Sequence, residues 1–300
     1  GNDLNPVATL IERATIEMPI KHGMAVRCEV LRIGKSLADR TRERLAFAYP
    51  DEPGENVRPD AYIWARTIRC PHCEGLVPLS PNWRLAPDGT GVRLLPEKGS
   101  GPGDTTRHVR FTIVSKAKEQ SPGTVSGGDA TCPFDDCGRL IASDHIKAEA
   151  QAGRMGEQLY TVVFKQMVIT GYTKAGKPKE KWVRGYRAPR PEDDVSQAVA
   201  EALAEKLPDW EAMDMVPTER VPADINDDRP IQYGMPLWRD LFSPRQLLGH
   251  GTAVEVFREL IDEEKAAGRW NEVTAGAFAY LSLSLDKMLN YNSRMSVWMS

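Results

Sequence analysis

The sequence predicts a mixed α/β chain, on three observations. Apolar residues recur at helical spacing near both ends, β-branched runs occupy the middle, and two close cysteine pairs interrupt those runs. The helical part begins at about residue 6. Asn5 is a natural N-cap, Pro6 suits the first turn, and Val7, Leu10, Ile11 and Ala14 form an apolar face over 6–18. A longer helix is expected over 24–49, with Val26, Val30, Ile33, Leu37 and Leu45 on one side. Cys28 lies on that apolar side and reads as a core residue. Pro50 stops the helix, and the following "DEPGENVRPD" is a loop by its proline, glycine and acid content.

"AYIWARTIRC" reads as a strand leading into the first cysteine pair. "GVRLLPE" and "RHVRFTIVS" are shorter strands, separated by the glycine-rich "EKGSGPGDTT" and followed by "SPGTVSGGDA". Ser143 is available to cap a helix over "ASDHIKAEAQAG", and 158–189 reads as a β-hairpin with a Lys-Gly turn. "RPEDDVSQAVAEALAEKL" is expected to be a helix with acids in its first turn, followed by an acidic, proline-rich connector over 208–236. Near the end, Ser243, Pro244 and Gln246 spell a capping box. Leu247, Val254, Phe257, Leu260 and Ile261 continue that helix, Gly268 can close it, and Gly249 and Gly251 are expected to bend or split it. A last helix carries Phe278, Leu281, Leu285 and Met288.

The chain is 41% hydrophobic and 27% charged, with a net charge of −3 over 300 residues. No apolar run reaches the roughly 18 residues of a membrane span and no signal peptide precedes the first helix, so a cytoplasmic protein without a membrane partner is expected. The near-neutral total hides an asymmetry. Residues 138–190 hold eleven Lys/Arg against four Asp/Glu, and residues 191–228 hold twelve acids against two bases. The basic stretch could face an anion such as nucleic acid, or the two stretches could be solvated faces of opposite sign.

Five cysteines, an odd number without a secretion signal, argue for reduced thiols instead of a disulfide framework. Cys70 and Cys73 ("CPHC") and Cys132 and Cys137 ("CPFDDC") form two pairs separated by 58 residues. Each pair is followed closely by glycine, as in a zinc-ribbon knuckle, and four thiolates make a closed, structural tetrahedral zinc site with no open position. A redox dithiol and unrelated buried cysteines are the competing readings. Arg66, Arg69 and Arg139 are candidate screening charges, and His72 and His145 read as surface residues.

Asp3 stands directly before the first helix. An acid at that place in nucleoside-binding α/β folds accepts both ribose hydroxyls, although an Asp before a helix is also a common cap. "NDLNPVATLIERATIEMP", "YIWARTIRCPHC", "GMPLWRDLFSPRQLL" and "LDKMLNYNSRMSVW" together resemble the zinc-ribbon-containing adenine-specific DNA methylase family. The likeness covers both ends and the first cysteine pair, and is thin over 85–131. It implies a partial Rossmann-like methyltransferase domain with an inserted zinc ribbon, a β-hairpin and a helical C-terminal part. It further implies S-adenosylmethionine and zinc as cofactors, DNA as partner, and methylation of the exocyclic amine of adenine.

By that resemblance Asp3 would bind the ribose of the methyl donor, with Asn5 and Pro6 shaping the adjoining turn. The implied organisation is a partial methyltransferase core with helices (1–58), the zinc-ribbon region (59–147), the basic hairpin (148–190), an acidic helix and connector (191–242) and a helical region (243–300). Two family hallmarks are missing: no glycine-rich donor loop precedes Asp3, and no "D-P-P-Y"-type motif occurs. "GSGPG" at 99–103 lacks the strand–loop–helix setting of a donor loop. An internal fragment, inactive alone and without catalytic residues of its own, is the expectation. The alternative is a non-catalytic zinc-ribbon module that binds nucleic acid or a protein partner.

Within the hairpin, Lys174, Lys177, Lys179, Lys181, Arg184, Arg187 and Arg190 are interleaved with Tyr172, Trp182 and Tyr186. Lys181, Trp182, Arg184 and Arg187 are the candidate nucleic-acid contacts, because cations meet phosphates and aromatic rings stack on bases. Edge-strand lysines that deter sheet pairing, with Trp182 in the core, are the structural alternative.

Overall fold

The computed structural model describes residues 5–99, 106–223, 227–296 and 298. Along the chain come α1 (Pro6–Glu12), a π-helical turn (Arg13–Glu17), α2 (Met18–His22) and α3 (Met24–Arg44). Then follow β1 (Val57–Arg69), β2 (Leu76–Leu79), β3 (Gly91–Lys98), β4 (Arg107–Val114), β5 (Val125–Ser126), β6 (Asp129–Thr131) and β7 (Leu140–Ile141). Next are α4 (Ser143–Gln151), β8 (Gly156–Tyr172), β9 (Pro178–Arg187), α5 (Ser196–Ala212), α6 (Arg229–Gln232), α7 (Pro244–Ala266) and α8 (Glu272–Tyr291). Helix makes up 44% and strand 25% of the described residues of this mixed α/β chain. No helix among the described residues is long and apolar enough to cross a membrane. The chain folds into two compact units. One holds the residues up to Ala48, Val195–Glu219 and Leu237–Ser296; the other holds Tyr49–Asp194, Arg220–Pro236 and Trp298.

The first unit is helical. Asn5 caps α1 as expected, its Oδ1 accepting from the Val7 and Ala8 amides at 2.9 and 3.4 Å. The helix then runs past Pro19, beyond its expected end. In the π-turn the Met18 amide donates to the Arg13 carbonyl, so the next carbonyl, Ala14, faces a proline that has no N–H to give. The Tyr280 hydroxyl donates to Ala14 instead. Gly23, at φ 52°, ends the run. Of the apolar face expected here, only Ala14 is buried; Val7, Ile11, Ile16, Ile20 and Met24 are exposed. Their spacing of four becomes five across the π-turn, which keeps them on one side.

The core of this unit joins Ile33 and Leu37 of α3 with Val256 and Leu260 of α7 and Ala277, Phe278 and Leu281 of α8. Cys28 is exposed, contrary to the expectation of a core residue. It lies two residues, or about 200°, round the helix from the buried Val26. Buried Glu264 accepts from Arg32 at 2.9 Å and from Arg269 at 2.8 and 3.0 Å. Ser243 and Gln246 form the expected capping box, and Gly268 follows the helix end at φ 67°.

Gly249 and Gly251 neither bend nor split α7, which is continuous. Gly251 is a notch: a Cβ there would lie 2.2 Å from Cζ3 of Trp210, which is fully buried. The same indole explains α5, which runs through Pro208 to Ala212 instead of yielding to a connector. Burying the Trp210 ring works against the cost of an interior proline. The helix also starts later than expected, at Ser196. The acids before it form a 3₁₀ turn, Pro191–Asp193, engaged by Arg187.

The second unit is built on antiparallel strands throughout. A four-stranded sheet runs β2-β1-β8-β9, β3 pairs with β4, and β5-β6-β7 form a small third sheet. None of the described strands pairs in parallel. β1 is central, matched to β8 from Thr67↔Gly156 to Val57↔Gln166, so the first cysteine strand and the hairpin share one sheet. Trp83, Phe111 and Tyr160 pack with ring centroids 5.2–5.9 Å apart at the middle of the core, and burial pushes the Tyr160 hydroxyl up to about 12. Ser143 does not cap α4; its amide donates to Asp129 Oδ1 at 2.8 Å, across from β6.

Two outcomes test this packing. Gly251→Ala should destabilise the helical unit by about 1–3 kcal/mol, read by thermal unfolding, because Trp210 has nowhere to go. The Arg269 and Arg32 guanidiniums hold the Glu264 carboxyl down to about 2, against an ordinary 4.5. A depressed carboxyl contributes stability that is complete above about pH 4.5 and is lost as pH falls toward 2. Glu264→Gln should therefore lower stability at pH 7 by about 2 kcal/mol and reduce the acid-limb slope of an unfolding profile.

Candidate metal centre

Both cysteine pairs sit at hairpin tips. Cys70 follows β1 and the chain returns at β2, with the Cys70 amide donating to the Gly75 carbonyl at 2.9 Å. Cys132 follows β6 and the chain returns at β7, with the Cys132 amide donating to Arg139 at 3.0 Å. The residue after each second cysteine is left-handed: Glu74 at φ 58° and Gly138 at φ 55°. That geometry turns backbone N–H groups onto the sulfurs. The amides of His72 and Cys73 reach Cys70, that of Phe134 reaches Cys132, and that of Arg139 reaches Cys137.

The two tips bring the four sulfurs together, all within 4.8 Å of one another. Cys70 Sγ is 3.8 Å from Cys137 Sγ, and Cys73 Sγ is 3.6 Å from Cys132 Sγ. A tetrahedron of sulfurs about 2.3 Å from one zinc ion has edges of about 3.8 Å. The donor set and its spacing therefore fit a metal ion such as zinc. Four thiolates would complete its coordination and leave no position for water or substrate, as in structural zinc sites. Cys70 and Cys132 are buried, and burial pushes both thiols up, while the Arg139 amide holds Cys137 down.

Arg66, Arg69 and Arg139 are the expected screening charges. Arg66 is mostly buried, with Nη1 4.0 Å from Met235 Sδ, and burial holds it below its usual value. Arg69 donates to the Glu74 carbonyl, and Arg139 is exposed. A cation of β4, Arg107, lies by the second knuckle, where Asp136 holds it above its usual value. Arg107 and Lys98 clamp Asp136, between the second pair, at 2.8 and 2.7 Å. Nothing local marks Arg107; only Asp136, lying between two cysteines, is visible in the sequence. Glycine is needed at position 75, since a Cβ there would lie 2.4 Å from the Phe134 ring. His72 is exposed, its Nε2 3.3 Å from the Leu140 carbonyl, and His145 is half-buried; neither joins the sulfurs.

The other candidate residues lie apart from the cysteines. Trp182 is half-buried on the sheet, with Arg58 4.4 Å above its ring. Arg184 pairs with Asp60 at 3.1 Å and lies 5.2 Å from the Trp298 ring. Arg187 donates to Glu52 and to Asp193, both buried, with its Nη1 2.6 Å from Asp193 Oδ2. Burial works against its charge, but those carboxylates hold it above its usual value. Lys181 is exposed. Asn5 and Pro6 form the cap and first turn of α1; Asp3 lies outside the described residues. Comparisons of the chain with protein-family models, with curated proteins and with solved structures found no match.

The metal reading has a direct check. Elemental analysis of protein purified without chelator should give one zinc ion per chain. Cys70→Ser should abolish it and lower the melting temperature of the β unit by about 10 °C. Metal affinity should weaken as pH falls, because protons compete for the thiolates. Unchanged stability after exhaustive chelation would exclude a structural centre.

Proposed function

We propose that this chain is the zinc-ribbon-bearing portion of an S-adenosylmethionine-dependent DNA methyltransferase that acts on the exocyclic amine of adenine. The observation that carries the reading is the four-cysteine centre itself, two knuckles far apart in sequence with tetrahedral sulfur spacing, joined to the residue patterns that resemble the methylase family. In this reading zinc would be held by Cys70, Cys73, Cys132 and Cys137 and would stabilise the ribbon. Asp3 would accept hydrogen bonds from the donor's ribose hydroxyls, and Asn5 would start the following helix by capping it. Methyl transfer to adenine requires a base turned out of the duplex, a positioned donor and an acceptor for the amine. This chain supplies the donor's ribose contact and the scaffold. In this reading the chain carries part of the Rossmann-like core, and the donor loop and the amine acceptor are not among its residues.

A non-catalytic zinc module that binds nucleic acid is the second reading, favoured by the exposed lysines of the hairpin. One experiment separates the two. Incubated with labelled S-adenosylmethionine and adenine-containing duplex, the polypeptide encoded around this chain should transfer label to DNA, and Asp3→Ala should raise the KM for the donor about tenfold or more. Coding sequence with neither a glycine-rich donor loop nor a "D-P-P-Y"-type motif, together with no transfer, would overturn the methyltransferase reading.

A further inference from the structure

The basic stretch is less free than its composition implies. Lys165 and Arg184 share Asp60, at 2.6 and 3.1 Å, and Arg187 and Arg190 share Glu52 and Asp193. The four lysines nearest the hairpin turn are different. Lys174, Lys177, Lys179 and Lys181 are all exposed, and none has an ion-pair partner among the described residues.

These lysines occupy a distinct piece of the fold. β1 pairs with β8 only as far as Gln166, and the Asn56 carbonyl takes the Met167 amide at 2.9 Å. From Val168 to Tyr172, β8 has β9 as its sole sheet partner among the described strands. The result is a two-stranded ribbon, about 15 Å long at about 3.3 Å per residue, that extends past the sheet. Its turn is fixed by Thr173, whose amide donates to Lys177 O at 2.8 Å and whose carbonyl accepts from Gly176 at 2.9 Å. Ile169 and Tyr172 are exposed on it, at 58% and 65%. Edge protection accounts for Lys179 and Lys181 on the outer strand β9, but not for Lys174 and Lys177, which lie at or beside the turn, where no edge needs guarding.

We infer that this ribbon, Val168 to Lys181, enters the major groove of duplex DNA and that its four lysines meet the flanking phosphates. The inference rests on the reading of the protein as DNA-modifying, and it names the element that makes the contact. The fit is one of size and charge. The major groove is about 12 Å wide and about 8.5 Å deep and admits a two-stranded ribbon, whose strands lie about 4.8 Å apart. Four lysines against Glu180 leave a net charge of +3 at the tip. The cations that reach DNA are therefore those at the turn, while Arg184 and Arg187 hold the base of the ribbon in place.

Binding of the zinc-loaded chain to a 20-base-pair duplex, followed by fluorescence anisotropy between about 50 and 200 mM salt, tests this. With four phosphate contacts the log–log salt slope should include about −3 to −4 from the ribbon. The variant K174A/K177A/K179A/K181A should lose that slope and bind at least tenfold more weakly at low salt, with an unchanged melting temperature. The unmodified chain should protect guanine N7, which faces the major groove, from dimethyl sulfate. If the variant binds as tightly and with the same slope, the ribbon assignment is overturned while the DNA reading stands. If the unmodified chain binds no nucleic acid, both fall. Tighter binding to duplex RNA or to anionic vesicles than to DNA would overturn the choice of partner.

Discussion

Two backbone hydrogen bonds, Cys70 to Gly75 and Cys132 to Arg139, close the turns on which the four sulfurs depend. Each is the last rung of a hairpin, so the sulfurs can meet only if two separate sheets present their tips to one point. The rest of the β unit supplies that condition. β1 is braced along its length by β8, and the Phe134 ring packs onto Gly75. β3 and β4 reach across to hold Asp136 through Lys98 and Arg107. The long segment between the cysteine pairs is thus a buttress, and its strands belong to the same core as Cys70 and Cys132.

What local chemistry encodes was legible. The Ser243–Gln246 capping box, the Asn5 cap, the Gly268 stop and the cysteine pairs depend on residues a few positions apart, and each stands where the pattern puts it. What distant partners decide was not. Pro19 and Pro208 look like helix ends; a tyrosine hydroxyl 266 residues from Ala14 and an indole set in a glycine notch keep both helices intact. Ser143 lost its capping role to Asp129, and Cys28 faces outward because neighbouring apolar residues formed the buried side. Arg107 could not be singled out, since its pairing with Asp136 exists only once β4 is laid down.

Charge shows the same division between composition and contact. Two adjoining stretches of opposite sign suggest two surfaces, yet much of the charge is spent between elements. Asp193 from the acidic stretch and Glu52 enclose Arg187. In the helical unit, α3 lays Arg32, Arg40 and Arg44 against acids of α7, including buried Glu264. A buried carboxylate is tolerable only with such partners, because desolvation would otherwise neutralise it. The net charge of a segment overstates what a partner could meet.

The second knuckle encloses two more residues between its cysteines than the first, yet both end on the same rung and the same left-handed residue. The extra length, Asp135 and Asp136 included, bulges outward and leaves the sulfur positions alone. Cysteine spacing is thus a poor ruler for centres of this kind. Insertions within a knuckle are neutral to the metal geometry as long as the closing rung survives, whereas a single deletion at the rung would not be. Relatives of this centre are better sought by the pairing of the residues on either side of each knuckle than by counting between the cysteines.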